Sequence, residues 1–430
     1  MPDDTLSLLR AGKLAGARRL DLNQGLAEFP REVFDLAETL EVLDLSRNNL
    51  TELPEDLGRL AKLRILFCSQ NPFRRMPEVL QQCPQLSMVG FKSCEIEEIP
   101  PEALPPSLRW LILTDNRLSR LPDALGRCHG LRKLMLSGNR LESLPESMQA
   151  CTGLELVRLA SNRFQALPDW LLQLPRLAWL GIAGNPVTDA RSVEFAMPMI
   201  DWSRIEFQAQ IGEGASGIIH RGRHEGNEVA VKLFKGAMTS DGLPGDEMAA
   251  GLAAGQHPQL VGTLGAVANA PDGARGLVMP LMGGEFVPLA GPPSLESCTR
   301  DIYPDGLKIA ARSLICLARG IASAAEHLHA RHILHGDLYA HNILWDRQGQ
   351  ARLGDFGAAA LYAAAGEKLG SALQRIEVRA FGVLLEELLQ RCEENPPAQV
   401  ERLKNRCVGP ATASCPNFDM IVRELDAMFY

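Results

Sequence analysis

From Leu40 onward the sequence repeats one fifteen-residue phrase at an almost fixed interval: LEVLDLSRNNLTELP returns as LRILFCSQNPFRRMP, LSMVGFKSCEIEEIP, LRWLILTDNRLSRLP, LRKLMLSGNRLESLP and LELVRLASNRFQALP. The starts at Leu40, Leu63, Leu86, Leu108, Leu131, Leu154 and Leu177 step by 23 residues, with one step of 22. A weaker leading copy begins at Ala17, and the last stops short at Val187. A chain with such a period is constrained to stack: one unit of this length cannot bury its own apolar face, so each must close against the next.

Within a copy LxxLxL alternates as a strand does, which predicts Leu108, Leu111 and Leu113 inside with Trp110 and Ile112 outside. Asn48, Asn71, Asn116, Asn139, Asn162 and Asn185 recur where the chain leaves the strand, and a buried amide there can satisfy neighbouring backbone groups. Gly25 and Cys94 take the Asn position in two copies, so the ladder is expected to be weaker there. This pattern resembles the leucine-rich repeat family over residues 17–187. The resemblance implies an α/β solenoid over 17–190 of about eight repeats, with a helical cap over 1–16.

The outward strand positions read Val42/Asp44, Ile65/Phe67, Met88/Gly90, Trp110/Ile112, Lys133/Met135, Leu156/Arg158 and Trp179/Gly181. A contiguous apolar stripe on a solvent-facing sheet marks a partner site, and Phe67, Trp110, Met135 and Trp179 are its candidate contacts. The alternative is that the first residue of each pair packs along the ladder.

The formal charge is −8 with both signs interspersed, and no Lys/Arg tract is long enough to track a nucleic-acid backbone. The opening MPDDTLSLLR has neither the basic start nor the apolar core of a secretory signal. No stretch has the roughly 18 apolar residues of a membrane span. The expectation is a soluble cytoplasmic protein, with export into a host left open by composition. Ten cysteines form no CxxC pair; Cys83, Cys128 and Cys151 share one repeat position that Leu60 and Leu174 fill elsewhere, as small buried apolar residues would.

After a linker over 191–204 the pattern changes. IGEGASGIIHRGRHEGNEVAVKLF carries GxGxxG at Gly212, Gly214 and Gly217, followed by a strand-like run, the turn HEGN and a second strand with Lys232. Two strands over a glycine-rich bend make a flap able to lie on phosphates, whereas a dinucleotide fold needs a helix next. Further on come HPQLV (257–261), HGDLYAHNIL (335–344) and GDFG (354–357).

In this order these motifs resemble the eukaryotic-type protein kinase family, nearest its tyrosine-kinase-like branch, over 205–430. The resemblance implies a bilobal α+β domain using ATP and Mg²⁺. Lys232 would hold the phosphates, oriented by a carboxylate for which Glu247 is the best placed candidate and Asp246 the rival. Asp337 would accept or orient the hydroxyl proton, and Asn342 and Asp355 would hold the metal. The nucleotide site would comprise Gly212, Gly214, Gly217, Ile219, Ala230 and Lys232, with Met279 as gatekeeper and Leu281 and Met282 bearing the hinge amides.

Three departures qualify this. Gly336 stands where many kinases carry Arg beside the catalytic Asp, which makes the chain a non-RD type. Tyr339 stands where serine/threonine kinases place a Lys, and His341 where tyrosine kinases place an Arg, so one cation is lacking unless His341 or another group supplies it. Only 18 residues, 358–375, follow DFG before IEVRAFGVLLEELLQ; the APE motif is absent, Glu377 replaces the Asp that opens this helix, and Cys415 replaces an Arg. Tyr362 and Ser371 are the candidate loop phosphosites. The leading expectation is a protein kinase acting on serine/threonine hydroxyls, with the repeats recruiting a substrate or regulator. The alternatives are a catalytically weak pseudokinase scaffold and a small-molecule phosphotransferase.

Overall fold

A computed structural model of the chain describes residues 4–188, 198–214, 216–236, 238–239, 241–363, 366–395, 397–409 and 415–429. It divides into two compact units, Met1–Val157 with Asn162–Arg176, and Arg158–Ser161 with Leu177–Tyr430.

The first unit opens with helix α1 (Thr5–Arg10), whose N-cap Asp4 accepts a hydrogen bond from the Ser7 amide at 2.7 Å. Strands β1 (Arg19–Asp21), β2 (Val42–Asp44), β3 (Ile65–Phe67), β4 (Met88–Gly90), β5 (Trp110–Ile112) and β6 (Lys133–Met135) pair in parallel, one from each repeat. Strand β7 (Leu156–Arg158) follows, and its last residue is counted with the second unit. The register sets Leu20, Leu43, Leu66, Val89, Leu111 and Leu134 side by side, all fully shielded. The return legs are short helical turns entered through a proline, as at Pro77, Pro122 and Pro145, and the leg before the last repeat is helix α2 (Asp169–Leu172).

The asparagine ladder forms as expected. Asn116 donates through Nδ2 to the carbonyls of Phe91 (2.8 Å) and Leu113 (3.0 Å), and its Oδ1 accepts from the Ile96 amide at 2.9 Å. At the Cys94 position a thiol takes the amide's place, 3.4 Å from the Cys68 carbonyl and 3.8 Å from that of Lys92. Cys83, Cys128 and Cys151 are buried, and burial pushes each thiol up to about 11.

The outward stripe is less open than the sequence suggests. Ile65, Met88, Lys133 and Leu156 are buried along the ladder, whereas Phe67, Trp110, Ile112 and Met135 are half-buried. Lys133 sets its ammonium 4.2 Å from the Trp110 ring centroid, and Phe67 lies so close over Gly90 that a Cβ there would meet it at 2.7 Å.

The second unit contains strand β8 (Trp179–Gly181) and a six-stranded sheet. That sheet comprises β9 (Met199–Asp201), β10 (Ile205–Glu213), β11 (Gly217–His224), β12 (Asn227–Phe234), β13 (Gly265–Ala268) and β14 (Gly276–Pro280), in the order β10-β11-β12-β14-β13-β9. All neighbours are antiparallel except β9 and β13, so residues 199–201, expected to be linker, form an edge strand instead. The part of the expected linker over 189–197 lies outside the described residues. Ile200, Ile205, Val229, Val231, Val267 and Val278 form the core beneath this sheet.

Helix α3 (Pro244–Ala254) packs its Met248 with Ala266 and Leu277. Then come the short strand β15 (Val287–Pro288) and the long helix α4 (Ala311–His329), followed by β16 (Ile333–Leu334), β17 (Ile343–Trp345), β18 (Ala351–Leu353) and β19 (Ala360–Leu361). Helices α5 (Gly366–Leu389), α6 (Ala398–Val408) and α7 (Phe418–Asp426) complete the unit. No described helix is long and apolar enough to cross a membrane.

Candidate active site

Lys232 sits on β12 opposite Ile219 of β11 and Leu277 of β14, which fixes its side chain on one face of the sheet. Pro at the first position of α3 suits a helix start because its missing N–H would have no partner there. From that helix Glu247 places Oε1 2.5 Å from the Lys232 ammonium, and both side chains are buried. The rival Asp246 turns elsewhere: its Oδ2 would lie 2.7 Å from a Cβ at Gly184. Burial opposes the Lys232 charge, but Asp355 and Glu247 more than offset this and hold its pKa above the ordinary value. Burial also pushes Glu247 up to about 7, against the pull of Lys232.

Asp355 adopts φ 55°, a left-handed backbone that costs a non-glycine residue energy and is tolerated where function fixes it. Its Oδ1 accepts from the Gly357 amide at 3.1 Å and lies 3.4 Å from Lys232 Nζ. Burial raises its pKa, but Lys232 and the Gly357 amide outweigh it and hold the carboxyl below the usual range. Phe356 next to it is buried against the His335 ring, 5.4 Å between centroids.

The loop from His335 to Asn342 is pinned at several points. His335, fully buried, donates from Nε2 to the Gly354 carbonyl at 3.0 Å, which leaves Nδ1 to accept from the Asp337 amide at 3.3 Å. Glu377 of α5 accepts from the Gly336 amide through Oε1 at 2.8 Å and from His329 Nε2 through Oε2 at 2.7 Å. Asn342 donates to the Asp337 carbonyl at 2.9 Å and to Asp337 Oδ2 at 3.2 Å. The side chain of Arg158, only 2% exposed, donates from Nε to Asp241 Oδ1 at 2.7 Å, from Nη1 to the Gly336 carbonyl at 3.1 Å, and from Nη2 to Asp337 Oδ1.

Gly336 has φ +72°, and a Cβ there would come within 2.7 Å of the Ala358 carbonyl oxygen and 2.9 Å of that of Leu180. No larger residue fits, which accounts physically for the absence of an arginine at this position. Tyr339 is buried with its ring stacked on Trp179, 4.1 Å between centroids and 9° between planes, while the Trp179 indole donates to the Leu338 carbonyl at 3.0 Å. Trp179 therefore has no face to offer an outside partner, and its expected place in a partner stripe is corrected. His341 is tied to Asp301, through its amide and through Nδ1, at 2.8 Å each.

The nucleotide-site candidates fall on the β10–β11 hairpin and around β14. Of the three glycines only Gly217 is required by packing, since a Cβ would meet the Leu233 carbonyl oxygen at 2.5 Å. Ala230 pairs with Met279 across β12 and β14, and Leu281 and Met282 follow, half-buried. The candidate phosphosite Tyr362 is buried, with its hydroxyl accepting from Gln374 at 2.8 Å, so it is not an accessible acceptor; Ser371 is exposed on α5.

Lys232, Glu247, Asp337, Asn342 and Asp355 all lie in the second unit. Sequence reasoning missed Arg158, Asp241, Asp301 and the tethering role of Glu377. Arg158 and Asp337 lie 179 positions apart, and no local pattern links them.

Residues 205–379 match the family model described as protein tyrosine and serine/threonine kinase, and residues 129–187 and 39–60 match leucine-rich repeat models. A leucine-rich repeat and calponin homology domain-containing protein of Drosophila melanogaster is 35% identical over 107 residues, 24% of this chain and 13% of the relative. The serine/threonine-protein kinase PITSLRE of the same organism is 29% identical over 186 residues, 42% of this chain and 19% of the relative. The serine/threonine-protein kinase mos of Gallus gallus is 27% identical over 193 residues, 42% of this chain and 55% of the relative. In each case the match spans less than two thirds of the relative's length.

Proposed function

We propose that this leucine-rich repeat protein with a protein kinase domain transfers the γ-phosphoryl group of ATP to serine or threonine hydroxyls of a protein substrate, as a non-RD enzyme, with its repeats recruiting that substrate or a regulator. The buried Lys232–Glu247 pair, 2.5 Å apart and 3.4 Å from Asp355, is the observation that carries this reading. A lysine held at that spacing between two carboxylates is oriented, charged and ready to exchange one of them for phosphate oxygens.

Asp337 is the base for the acceptor hydroxyl, and Asn342 fixes its position through backbone and side chain. Mg²⁺ suits the remaining donors. Asn342 and Asp355 offer hard oxygens, the donors a Mg²⁺ ion takes together with phosphate and water ligands. Bound there, the ion would neutralise phosphate charge. The half-buried Phe67, Trp110 and Met135 are the surface we assign to recruitment.

A scaffold role is the second reading. It is favoured by the engagement of both Asp337 oxygens, with Arg158 and Asn342. Thermal melting with millimolar ATP and Mg²⁺, together with transfer from γ-labelled ATP, tests both. A nucleotide-dependent rise in melting temperature that Lys232→Met and Asp355→Ala diminish, with transfer lost in Asp337→Asn, supports the enzyme. A nucleotide shift without transfer above the Asp337→Asn level supports the scaffold, and no shift at all refutes the ATP site.

A further inference from the structure

The positions at which the resemblance expects a cation beside the catalytic aspartate hold Tyr339 and His341, and neither side chain serves. Tyr339 is stacked under Trp179, and the His341 ring is committed to Asp301. A different cation occupies the place. The guanidinium of Arg158 lies between Asp241 and Asp337, shielded from water, with one hydrogen bond from each of its three nitrogens.

We infer that Arg158 supplies the positive charge of the phosphoryl-transfer site, in place of the lysine or arginine missing from the loop itself. This rests on the kinase reading above. A guanidinium has five N–H groups, and described residues accept three, so one N–H on each terminal nitrogen remains for an incoming oxygen.

Charge balance leads to the same residue. Asp241, Glu247, Asp337 and Asp355 interact with one another and with Lys232 and Arg158 as one electrostatic cluster. Without Arg158, Lys232 would be left as the one lysine or arginine among these four carboxylates, and an anionic phosphate would be repelled from the acceptor side. A buried arginine is costly to solvate poorly and persists only when paired, which the two aspartates provide.

In the reaction, the acceptor oxygen bonds to the γ-phosphorus while the bond from that phosphorus to the β–γ bridging oxygen breaks. The electron pair leaves on ADP, and the acceptor proton passes to Asp337. Arg158 holds Asp337 Oδ1, and Oδ2, which accepts from Asn342 at 3.2 Å, keeps a second lone pair to present to the hydroxyl, while the guanidinium sets a cation where equatorial phosphoryl charge grows. Because this chemistry depends on placement and charge more than on base strength, pairing the base with a cation is compatible with turnover.

The test uses the full chain with γ-labelled ATP, Mg²⁺ and dephosphorylated casein as acceptor, comparing wild type with Arg158→Met, Arg158→Lys and the double variant Arg158→Met/Tyr339→Lys. Arg158→Met is expected to lose on the order of 10²-fold in kcat, as loss of one transition-state donor does, with the KM for ATP and the ATP-dependent melting shift within about threefold of wild type. Arg158→Lys should keep part of the rate, and Tyr339→Lys, which returns a cation to the loop, should recover at least about tenfold over Arg158→Met. Recovery by a lysine on a different element cannot arise if Arg158 only supports the fold. An Arg158→Met enzyme as active as wild type, or more active, would overturn the assignment and make the arginine a plug. Failure of Tyr339→Lys to recover any rate in a folded, ATP-binding double variant would also overturn it. If wild type transfers no more label than Asp337→Asn, the kinase reading itself fails and this assignment falls with it.

Discussion

Gly336→Ala isolates the tightest steric constraint in the loop from His335 to Asn342. The residue sits at φ +72°, where an L side chain costs about 1–2 kcal/mol. The new methyl would also stand 2.7 Å from the Ala358 carbonyl oxygen and 2.9 Å from that of Leu180, both main-chain atoms that cannot rotate away. Non-bonded carbon contacts are optimal nearer 3.5–4.0 Å, so the loop must move by several tenths of an ångström, and overpacking of this kind adds about 1–3 kcal/mol. The expected total is ~2–5 kcal/mol, a large share of the roughly 5–15 kcal/mol that holds a typical domain folded.

Function should suffer as well, because the Gly336 amide and carbonyl are the atoms that Glu377 (2.8 Å) and Arg158 (3.1 Å) grip on either side of Asp337's neighbour. Urea unfolding followed by far-ultraviolet circular dichroism, with phosphoryl transfer measured in parallel, checks both. A Gly336→Ala protein within about 0.5 kcal/mol of wild type, the scatter of an ordinary surface substitution, would refute the steric argument. So would a stable, active Gly336→Arg enzyme.

Two further outcomes are expected. Burial pushes Glu387 up to about 7 from an ordinary value of 4.5, against the pull of the Tyr303 hydroxyl and Arg300. A folded-state pKa above the unfolded one means that folding takes up a proton, so stability falls as pH rises between these values. Relative to wild type, Glu387→Gln should be unchanged near pH 4.5 and more stable above pH 7, by up to ~3 kcal/mol at about 1.4 kcal/mol per unit; a wild-type protein that instead gains stability over this range sinks the argument. In the repeats, Asn116→Ala strands the Phe91 and Leu113 carbonyls and the Ile96 amide and should cost ~3 kcal/mol, whereas Cys94→Asn should restore a missing rung and gain ~1 kcal/mol. Equal effects from the two, measured by chemical denaturation, would mean the ladder amides do not hold the stack.

What the sequence determined by itself was whatever repeats or stays local. The period of 23 dictates stacked parallel strands, because each unit has one apolar face and only the next unit to cover it. The motif order singled out Lys232, Asp337, Asn342 and Asp355, because each sits in a short segment whose turn or strand is encoded by its neighbours. The partner of Lys232 was narrowed to two carboxylates 14 and 15 residues later, and only the rotation of α3 selected Glu247 over Asp246. Tertiary structure alone decided the rest. Arg158 and Trp179 read as outward positions of a solvent-facing stripe, since alternation along a strand says which face a residue takes but not what meets that face. Folded, one closes on Asp337 and the other on Tyr339. The three oddities of the loop, Gly336, Tyr339 and the missing cation, become intelligible together only then. The space beside Gly336 is filled by backbone from Leu180, Tyr339 is an aromatic partner for Trp179, and the cation that meets Asp337 belongs to a residue 179 positions earlier, a separation at which no local pattern survives and only packing can report contact.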